Sequence, residues 1–185
     1  VLAHARAVIV GVVGEGLVAV VRDHGGVPLV PLHGVRPSVA EVLDELTRAH
    51  DDGVDEMVVL PSDRDSLAAV NSAVALFDRQ RRRDVAVAVV ATESVVQSLA
   101  ALAVHDPDRG LAAALSAMDE AAFATASVGV TRATSSGVMS GLTVEAGRYI
   151  GVMSGDVAAV GDDLAGVAVD VVQRVITDDS EVLTL

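Results

Sequence analysis

Side chains that could bind a ligand or a partner are concentrated in loops that directly follow apolar, strand-like runs. Three of these loops cover Leu32–Ser38, Pro61–Ser66 and Ala91–Ser98. In an open parallel sheet such loops share the carboxyl edge, where ligands usually bind. With Glu15, from the loop after the first run, they supply twelve residues that we call the rim: Glu15, His33, Arg36, Ser38, Ser62, Asp63, Arg64, Asp65, Thr92, Glu93, Ser94 and Gln97.

Two interpretations of the rim stay open. Ser38, Ser62 and Thr92 or Ser94 precede helix-like stretches, and serine and threonine are common helix N-caps. Taken one at a time, most of these hydroxyls are therefore expected to be caps. Taken together, a polar edge that carries both charge signs is also what a docking surface for a partner or ligand would offer.

The first strand-like run ends in a glycine loop, GVVGEG, over Gly11–Gly16. Its spacing, G-x-x-G-x-G, differs from the dinucleotide fingerprint G-x-G-x-x-G. Glu15 stands at the helix start, where a phosphate would use the positive end of the helix dipole, and its carboxylate would repel an anion. The sequence thus predicts a tight turn and a self-capped helix without a nucleotide, with Gly14 and Gly16 needed for a positive φ or a close approach.

No catalytic or metal site can be assembled from local spacing. All 13 basic residues are Arg and there is no Cys, which excludes a Walker lysine, a lysine Schiff base and a thiol nucleophile. No two of the five histidines stand at i,i+2 or i,i+4, a spacing that metal ligands often have, and no G-x-S-x-G elbow occurs. We therefore expect no catalytic residue, no metal and no cofactor in this chain.

Apolar runs alternate with amphipathic stretches in the first part of the chain. The runs are Ala7–Val13, Val27–Leu32, Glu56–Pro61 and Asp84–Ala91. This alternation predicts an α/β fold with an open, mainly parallel sheet and helices on both faces. Ser38, with Glu41 three residues later, is a capping-box pattern at the start of the second helix. A basic run, Arg81–Arg83, would suit the C-terminal end of the third helix.

The pattern changes at Pro107, so we expect a parallel α/β subdomain over residues 1–106 and a smaller α+β subdomain over residues 107–185. The smaller one should begin with an alanine-rich helix over Arg109–Glu120. Strands, with a Ser-Gly hairpin signal within Met153–Val157, and a last helix capped by Asp162 or Asp163 should follow. The final EVLTL has the composition of a strand, which predicts a subdomain truncated at its C-terminus.

Charge and composition restrict the partners. The formal net charge is −13, which argues against nucleic acid because phosphate backbones need a basic face. The apolar runs fall short of the ~20 residues that a membrane-spanning helix needs, and the start, VLAHARAV, has no signal-peptide pattern. The sequence is therefore expected to be an internal fragment of a larger cytoplasmic protein.

An ordered set of motifs resembles a known family. The motifs are VIVGVVGEGLVAVVRDHGGVPLV, RPSVAEVLDEL, MVVLPSDRDSLAAVNSAVAL, VVATESVVQSLAALAVHDP and the segment from GVMSGLTVEAGRYIGVMSGDV to the end. Together they closely resemble the C-terminal region of bacterial fatty acid kinases, the dihydroxyacetone-kinase-like or DAK2-domain proteins. The resemblance covers essentially the whole chain.

This resemblance implies a fold of the DegV and dihydroxyacetone-kinase class. It implies that ATP and Mg belong to an N-terminal kinase domain outside this sequence. It also implies a partner, a DegV-type protein that carries the fatty acid whose carboxylate becomes an acyl phosphate.

The sequence departs from the family in the rim loops. Where the family usually has Gly-Gly-Gln-Thr-Met-Asn-Pro-Ser, this chain has PLHGVRPS, residues 31–38. The family's Leu-Pro-Asn-Asn-x-Asn is LPSDRD here, and its Pro-Thr-Lys is Ala-Thr-Glu, with Glu93 in place of the lysine.

Three functions are therefore compared. The first is a non-catalytic domain that docks the DegV-type protein next to the kinase domain of its own chain. The second is a small-molecule domain, ligand-binding or enzymatic, with a glycerone-like or acyl ligand in the rim cleft. The third is a structural module that forms a homodimer.

Overall fold

A computed structural model describes residues 6–34, 36–80, 85–178 and 180. The chain forms two compact units, which divide after Thr125 instead of near residue 107. The difference has a physical cause. The helix over Leu111–Ala124, which the sequence pattern placed in the second unit, packs into the core of the first, where its Met118 shares a buried cluster with Leu102.

The first unit alternates strands and helices. Its order is β1 (Arg6–Gly11), α1 (Glu15–Asp23), β2 (Val27–Leu29), α2 (Val39–Asp51), β3 (Glu56–Leu60), α3 (Ser66–Gln80), β4 (Ala86–Val89), α4 (Val95–Ala103) and α5 (Leu111–Ala124). The strands pair in the order β2-β1-β3-β4, and every pair is parallel. The predicted α/β class with an open parallel sheet is confirmed.

Side chains that alternate along the strands build one core on each face of this sheet. Val8 and Val10 of β1 join a cluster that includes Val21 of α1 and Leu102 of α4. Ile9, between them, joins the other cluster, with residues of α2 and α3 such as Leu46 and Phe77. The helices therefore cover both faces, as the runs of apolar residues predict for a buried parallel sheet.

The predicted helix starts are largely as expected. Ser38 caps α2, and the reciprocal bonds with Glu41 complete the capping box. Asp163, one of the two predicted caps, accepts a hydrogen bond from the backbone of Gly166 in the last helix. The basic run Arg81–Arg83 and the strand predicted in EVLTL lie outside the described residues.

The glycine loop differs from the expectation in two respects. Gly14 has a φ of 97°, as predicted for the turn. Glu15 lies in the first turn of α1, but no side-chain hydrogen bond caps this helix, so self-capping is wrong. Gly16 needs neither a positive φ nor space, since no described atom lies within 4 Å of a Cβ built there. The close approach is at Gly11 instead, where a Cβ would lie 2.7 Å from the Pro61 carbonyl oxygen.

The second unit is built from strands and one helix. They are β5 (Val128–Arg132), β6 (Gly137–Met139), β7 (Leu142–Val144), β8 (Tyr149–Met153), β9 (Asp156–Gly161) and α6 (Leu164–Val175). Strands β5, β8 and β9 form an antiparallel sheet in that order, and β6 and β7 form a hairpin. The predicted Ser-Gly turn joins β8 to β9, with positive φ at Ser154 and Gly155, which is the signature of a type I′ hairpin.

Helix α6 contacts this sheet where the strand has no side chain. A Cβ at Gly151 in β8 would lie 2.2 Å from a methyl carbon of Val171. Val171 and Val167 are buried in a cluster with Ala159 of β9. The absence of a side chain at Gly151 thus sets the distance between helix and sheet.

None of the described helices has both the length and the apolar content that crossing a bilayer requires.

Candidate functional site

A cleft of about 200 Å³ opens at the carboxyl edge of the parallel sheet. Gly11 at the end of β1 lies among its lining residues, and residues after β2 and β3 and at the starts of α3 and α4 complete it. The apolar lining consists of Val12, Val13, Leu17, Pro31, Pro37, Pro61 and Val95, and the polar lining of Ser62, Asp63 and Ser66. The cleft thus has a mainly apolar lining beside the polar rim.

Arg36 joins the loop after β2 to the loop after β3. Its Nε donates to Asp63 Oδ2 at 2.7 Å, and its Nη2 lies 2.6 Å from Asp65 Oδ2. The hydrogen bond to Asp63 and the two carboxylate charges raise the pKa of Arg36. Burial raises the pKa of Asp63, but hydrogen bonds from Ser66 and Arg36 and the charge of Arg36 outweigh it, so this pKa is lowered. Asp63 is therefore ionised at neutral pH.

Arg64 joins the loop after β3 to the loop after β4. Its Nη2 donates to Oε1 and Oε2 of Glu93 at 2.9 and 3.0 Å, and its Nε donates to Oε1 at 3.1 Å. The side chains are 61% and 45% exposed. With the bonds of Arg36, this ion pair links three successive loops, as the parallel sheet requires of residues far apart in sequence.

Buried hydroxyls support the rim from below. Ser62 has a φ of 62°, a conformation uncommon for residues other than glycine. Its backbone N–H donates to Thr92 Oγ1 at 3.1 Å, and its Oγ donates to Ser98 Oγ at 2.7 Å. Ser98 in turn donates to Thr92 at 2.7 Å. Thr92 is 1% exposed and Ser98 is fully buried, so this network fixes the loop that carries Asp63 and Arg64.

Ser38 and Glu41 fix the loop after β2. The Glu41 carboxylate accepts hydrogen bonds from the Leu32 N–H at 2.6 Å, the Ser38 N–H at 2.7 Å and the Ser38 hydroxyl at 2.6 Å. The hydrogen bonds from Ser38, first the side chain and then the backbone, and the one from Leu32 lower the pKa of Glu41 to about 2. The capping box therefore extends beyond its own helix to Leu32.

Ser94 and Gln97 serve the start of α4. Ser94 accepts a hydrogen bond from the Gln97 N–H at 3.3 Å, and Gln97 Oε1 accepts one from the Glu93 N–H at 2.8 Å. Gln97 Nε2 also donates to the Thr125 carbonyl at 3.2 Å. The cap interpretation fits Ser38 and Ser94, whereas Ser62 and Thr92 belong to the buried hydroxyl network.

Two rim residues stand apart from these bonds. Glu15 and His33 are exposed, and the charge of His33 contributes only a small lowering of the Glu41 pKa. Across the part of the chain that the structure describes, no group of three or more His, Cys, Asp or Glu could hold a metal ion.

Sequence reasoning did not identify Ser66 and Ser98 as members of the site, or the apolar cleft. Ser98 lies one helical turn after Ser94, and Ser66 lies three residues after Asp63, so each has the position of an ordinary helix residue. The signal that could have identified the cleft is the set of prolines: Pro31, Pro37 and Pro61 all stand at ends of rim loops.

Comparison with known proteins agrees with this architecture. A crystal structure of Cg2579, a DegV family protein from Corynebacterium glutamicum, superposes with a TM-score of 0.63 at 15% sequence identity, covering 93% of this chain and 74% of that one. At this identity the likeness shows the fold alone. No curated protein matches the sequence. The family of FakA-like C-terminal regions of fatty acid kinase matches residues 7–185. The chain belongs to this FakA-like, C-terminal family of fatty acid kinases.

Proposed function

We propose that this chain is a non-catalytic part of a fatty acid kinase. It docks a DegV-type fatty-acid-binding protein, so that a separate N-terminal domain, which holds ATP and Mg, phosphorylates the bound fatty acid. The family membership of residues 7–185 supports the kinase context. The observation that carries the docking role is the exposed ion-pair network of Arg36 and Arg64, which links three loops on one sheet edge.

The rim suits a docking surface because its charges are held in place without being buried. The side chain of Arg36 is 52% exposed, and Asp63 and Asp65 beside it are 34% and 64% exposed. Pairs this exposed contribute little to folding. At an interface the same groups lose water, and truncation of a desolvated charge then weakens binding strongly.

Nucleotide binding is assigned to the separate domain for a local reason. Glu15 lies in the first turn of α1 after the glycine loop, where a phosphate would otherwise meet the positive end of the helix. We therefore expect calorimetry of this chain with Mg-ATP to show no saturable binding at micromolar concentration. Such binding would need about 8 kcal/mol, and its detection would contradict the assignment.

The test of docking is the double variant Arg36→Ala with Arg64→Ala. We expect its affinity for a DegV-type protein from the same organism to fall at least about tenfold, because desolvated interface charges are lost. Its Tm should stay nearly unchanged. Acyl-phosphate formation by the full-length kinase should also fall.

A matched control removes two other exposed, ion-paired arginines, Arg109 and Arg174. Arg109→Ala with Arg174→Ala changes the net charge equally and should keep full affinity. Full-strength binding by the folded rim variant would remove the rim as the docking surface, and Arg132, Arg148 and the Asp162–Asp163 turn would be tested next.

The alternative is a small-molecule domain that binds a glycerone-like or acyl ligand, and the cleft is the observation that favours it. Titration of this chain with glycerone or palmitate distinguishes the two functions. Tight binding of either compound to the chain alone would favour the alternative.

A further inference from the structure

We infer that the rim cleft is an anchor pocket for one apolar side chain that a partner protein presents on a basic loop. This inference rests on the proposed docking function, and it specifies the chemistry of the partner's contact. Three observations carry it: the volume of the cleft, its lining and the balance of charge around it.

The volume decides between a side chain and a larger ligand. The cleft encloses about 200 Å³. Sites for small molecules usually enclose about 300–1,000 Å³, whereas an apolar cavity of about 150 Å³ already accepts benzene. The cleft is therefore large enough for one aromatic or branched aliphatic side chain, and too small to enclose a long acyl chain.

The lining is apolar, firm and open to a partner. Val12 is 4% exposed, and Val13 beside it is 47% exposed, so one wall reaches the protein surface. Gly11 lies at the cleft and in close contact with Pro61, which leaves no room for a side chain there. A pocket with a fixed backbone loses little conformational entropy on binding, which favours a strong anchor contact.

The charges around the cleft give the anchor its setting. Asp63 lines the cleft itself, and its ion pair with Arg36 stands beside that of Arg64 with Glu93. Anchor residues at protein interfaces commonly occupy such pockets, surrounded by polar contacts that exclude water. The rim is thus arranged as the polar border of an apolar contact.

The balance of charge specifies the partner. Among the rim residues, Arg36 and Arg64 stand against four carboxylates: Glu15, Asp63, Asp65 and Glu93. The whole chain has a formal charge of −13, so a second copy would be repelled from this edge. The complementary surface carries arginine or lysine next to its apolar anchor.

The first test blocks the pocket. Val13→Phe places a ring at its exposed wall, and we expect affinity for the DegV-type protein of the same organism to fall at least about tenfold, since a central anchor is displaced. Val104 is 42% exposed at the end of α4, away from the cleft. Val104→Phe, the same substitution at similar exposure, should leave affinity within about twofold.

The second test reverses a rim charge. Asp65→Arg should weaken binding about fivefold or more and reduce its dependence on salt, because a basic partner loop meets a new cation. Asp119, exposed on α5, provides the control, since Asp119→Arg changes the net charge equally and should bind as the wild type does. Thermal melts of all variants establish folding. If Val13→Phe does not fold, Val13→Ser removes the apolar wall without adding bulk and should also weaken binding.

The outcomes separate the inference from the function on which it rests. If the wild-type chain fails to bind the carrier, the docking function falls and the anchor pocket falls with it. If the wild type binds but folded Val13→Phe and Asp65→Arg bind equally well, only the anchor pocket is overturned. Saturable binding of palmitate to the chain alone, abolished by Val13→Phe, would overturn the pocket in favour of a lipid site.

Discussion

The guanidinium of Arg6 lies 2.6 Å from the carboxylate of Glu56, and the two side chains are only 3% and 16% exposed. They stand opposite one another at the first positions of β1 and β3, at the sheet edge away from the rim. Arg6 also donates to the carbonyl oxygens of Asp106 and Arg109, at 3.3 and 2.7 Å. One buried cation therefore holds the connection between α4 and α5 against the sheet.

Arg6→Met is expected to destabilise the protein by about 3–5 kcal/mol, because it leaves the Glu56 carboxylate buried without its partner. The free energy of unfolding from urea titration measures this loss. Arg6→Met with Glu56→Leu should recover part of it, since the orphaned charge is gone while the two carbonyl groups still lack their donor. A double variant no more stable than Arg6→Met alone would argue against the ion pair as the cause.

Ser98→Ala should cost about 1–3 kcal/mol, since it removes a fully buried hydroxyl that bonds to both Ser62 and Thr92 and leaves those groups unpaired. Ser72→Ala is the control, because Ser72 is exposed on α3 and its hydroxyl donates within its own helix, to the Ala68 carbonyl. Chemical denaturation compares the two. Equal stability of the two variants would show that the hydroxyl network does not support the rim.

Gly14→Ala and Gly16→Ala should differ in sign. Gly14 has a φ of 97° and a ψ of 142°, a region nearly restricted to glycine, so a side chain should cost about 1–3 kcal/mol. Gly16 lies in the first turn of α1 with open space around its Cα among the described atoms, where alanine should be neutral or stabilise by up to about 1 kcal/mol. Thermal melts of both variants check this, and a lower Tm for Gly16→Ala would support the structural role that the sequence predicted for Gly16.

Glu41 should make stability depend on acid pH. Its pKa in the folded chain is about 2, against an ordinary value of 4.5, so its stabilising effect is fully present above pH 4.5 and is lost as the pH falls towards 2. The stability difference between the wild type and Glu41→Gln should shrink over that range. Glu120→Gln, at an exposed position of α5, should show no such trend, and a constant difference for Glu41→Gln would contradict the assignment.

Local signals predicted the elements of this chain because each element is determined mostly by its own residues. The apolar runs indicated all four parallel strands, and the Ser38–Glu41 spacing indicated the capping box. The Ser-Gly turn between β8 and β9 was found in the same way. The same signal occurs at Ser140 and Gly141, which join β6 to β7, again with positive φ at both residues.

Contacts between distant segments could not be predicted in this way. Proximity of Arg36, Arg64 and Glu93 followed from the parallel sheet, but the choice of Asp63 and Asp65 as partners of Arg36 depends on the exact path of the loops. The unit boundary failed for a related reason. Asp106 and Pro107 are typical linker residues, yet Arg6, a hundred residues earlier, binds this segment to the sheet.

The contact of Gly151 with Val171 has a consequence for how the second unit tolerates sequence change. A Cβ at position 151 would overlap a methyl carbon of α6, whereas no described atom lies within 4 Å of a Cβ built at Gly129, on the neighbouring strand β5. In a library that samples every amino acid at both positions, position 129 should accept many residues and position 151 should retain glycine. Two glycines that look equivalent in the sequence would thus carry very different amounts of inherited information.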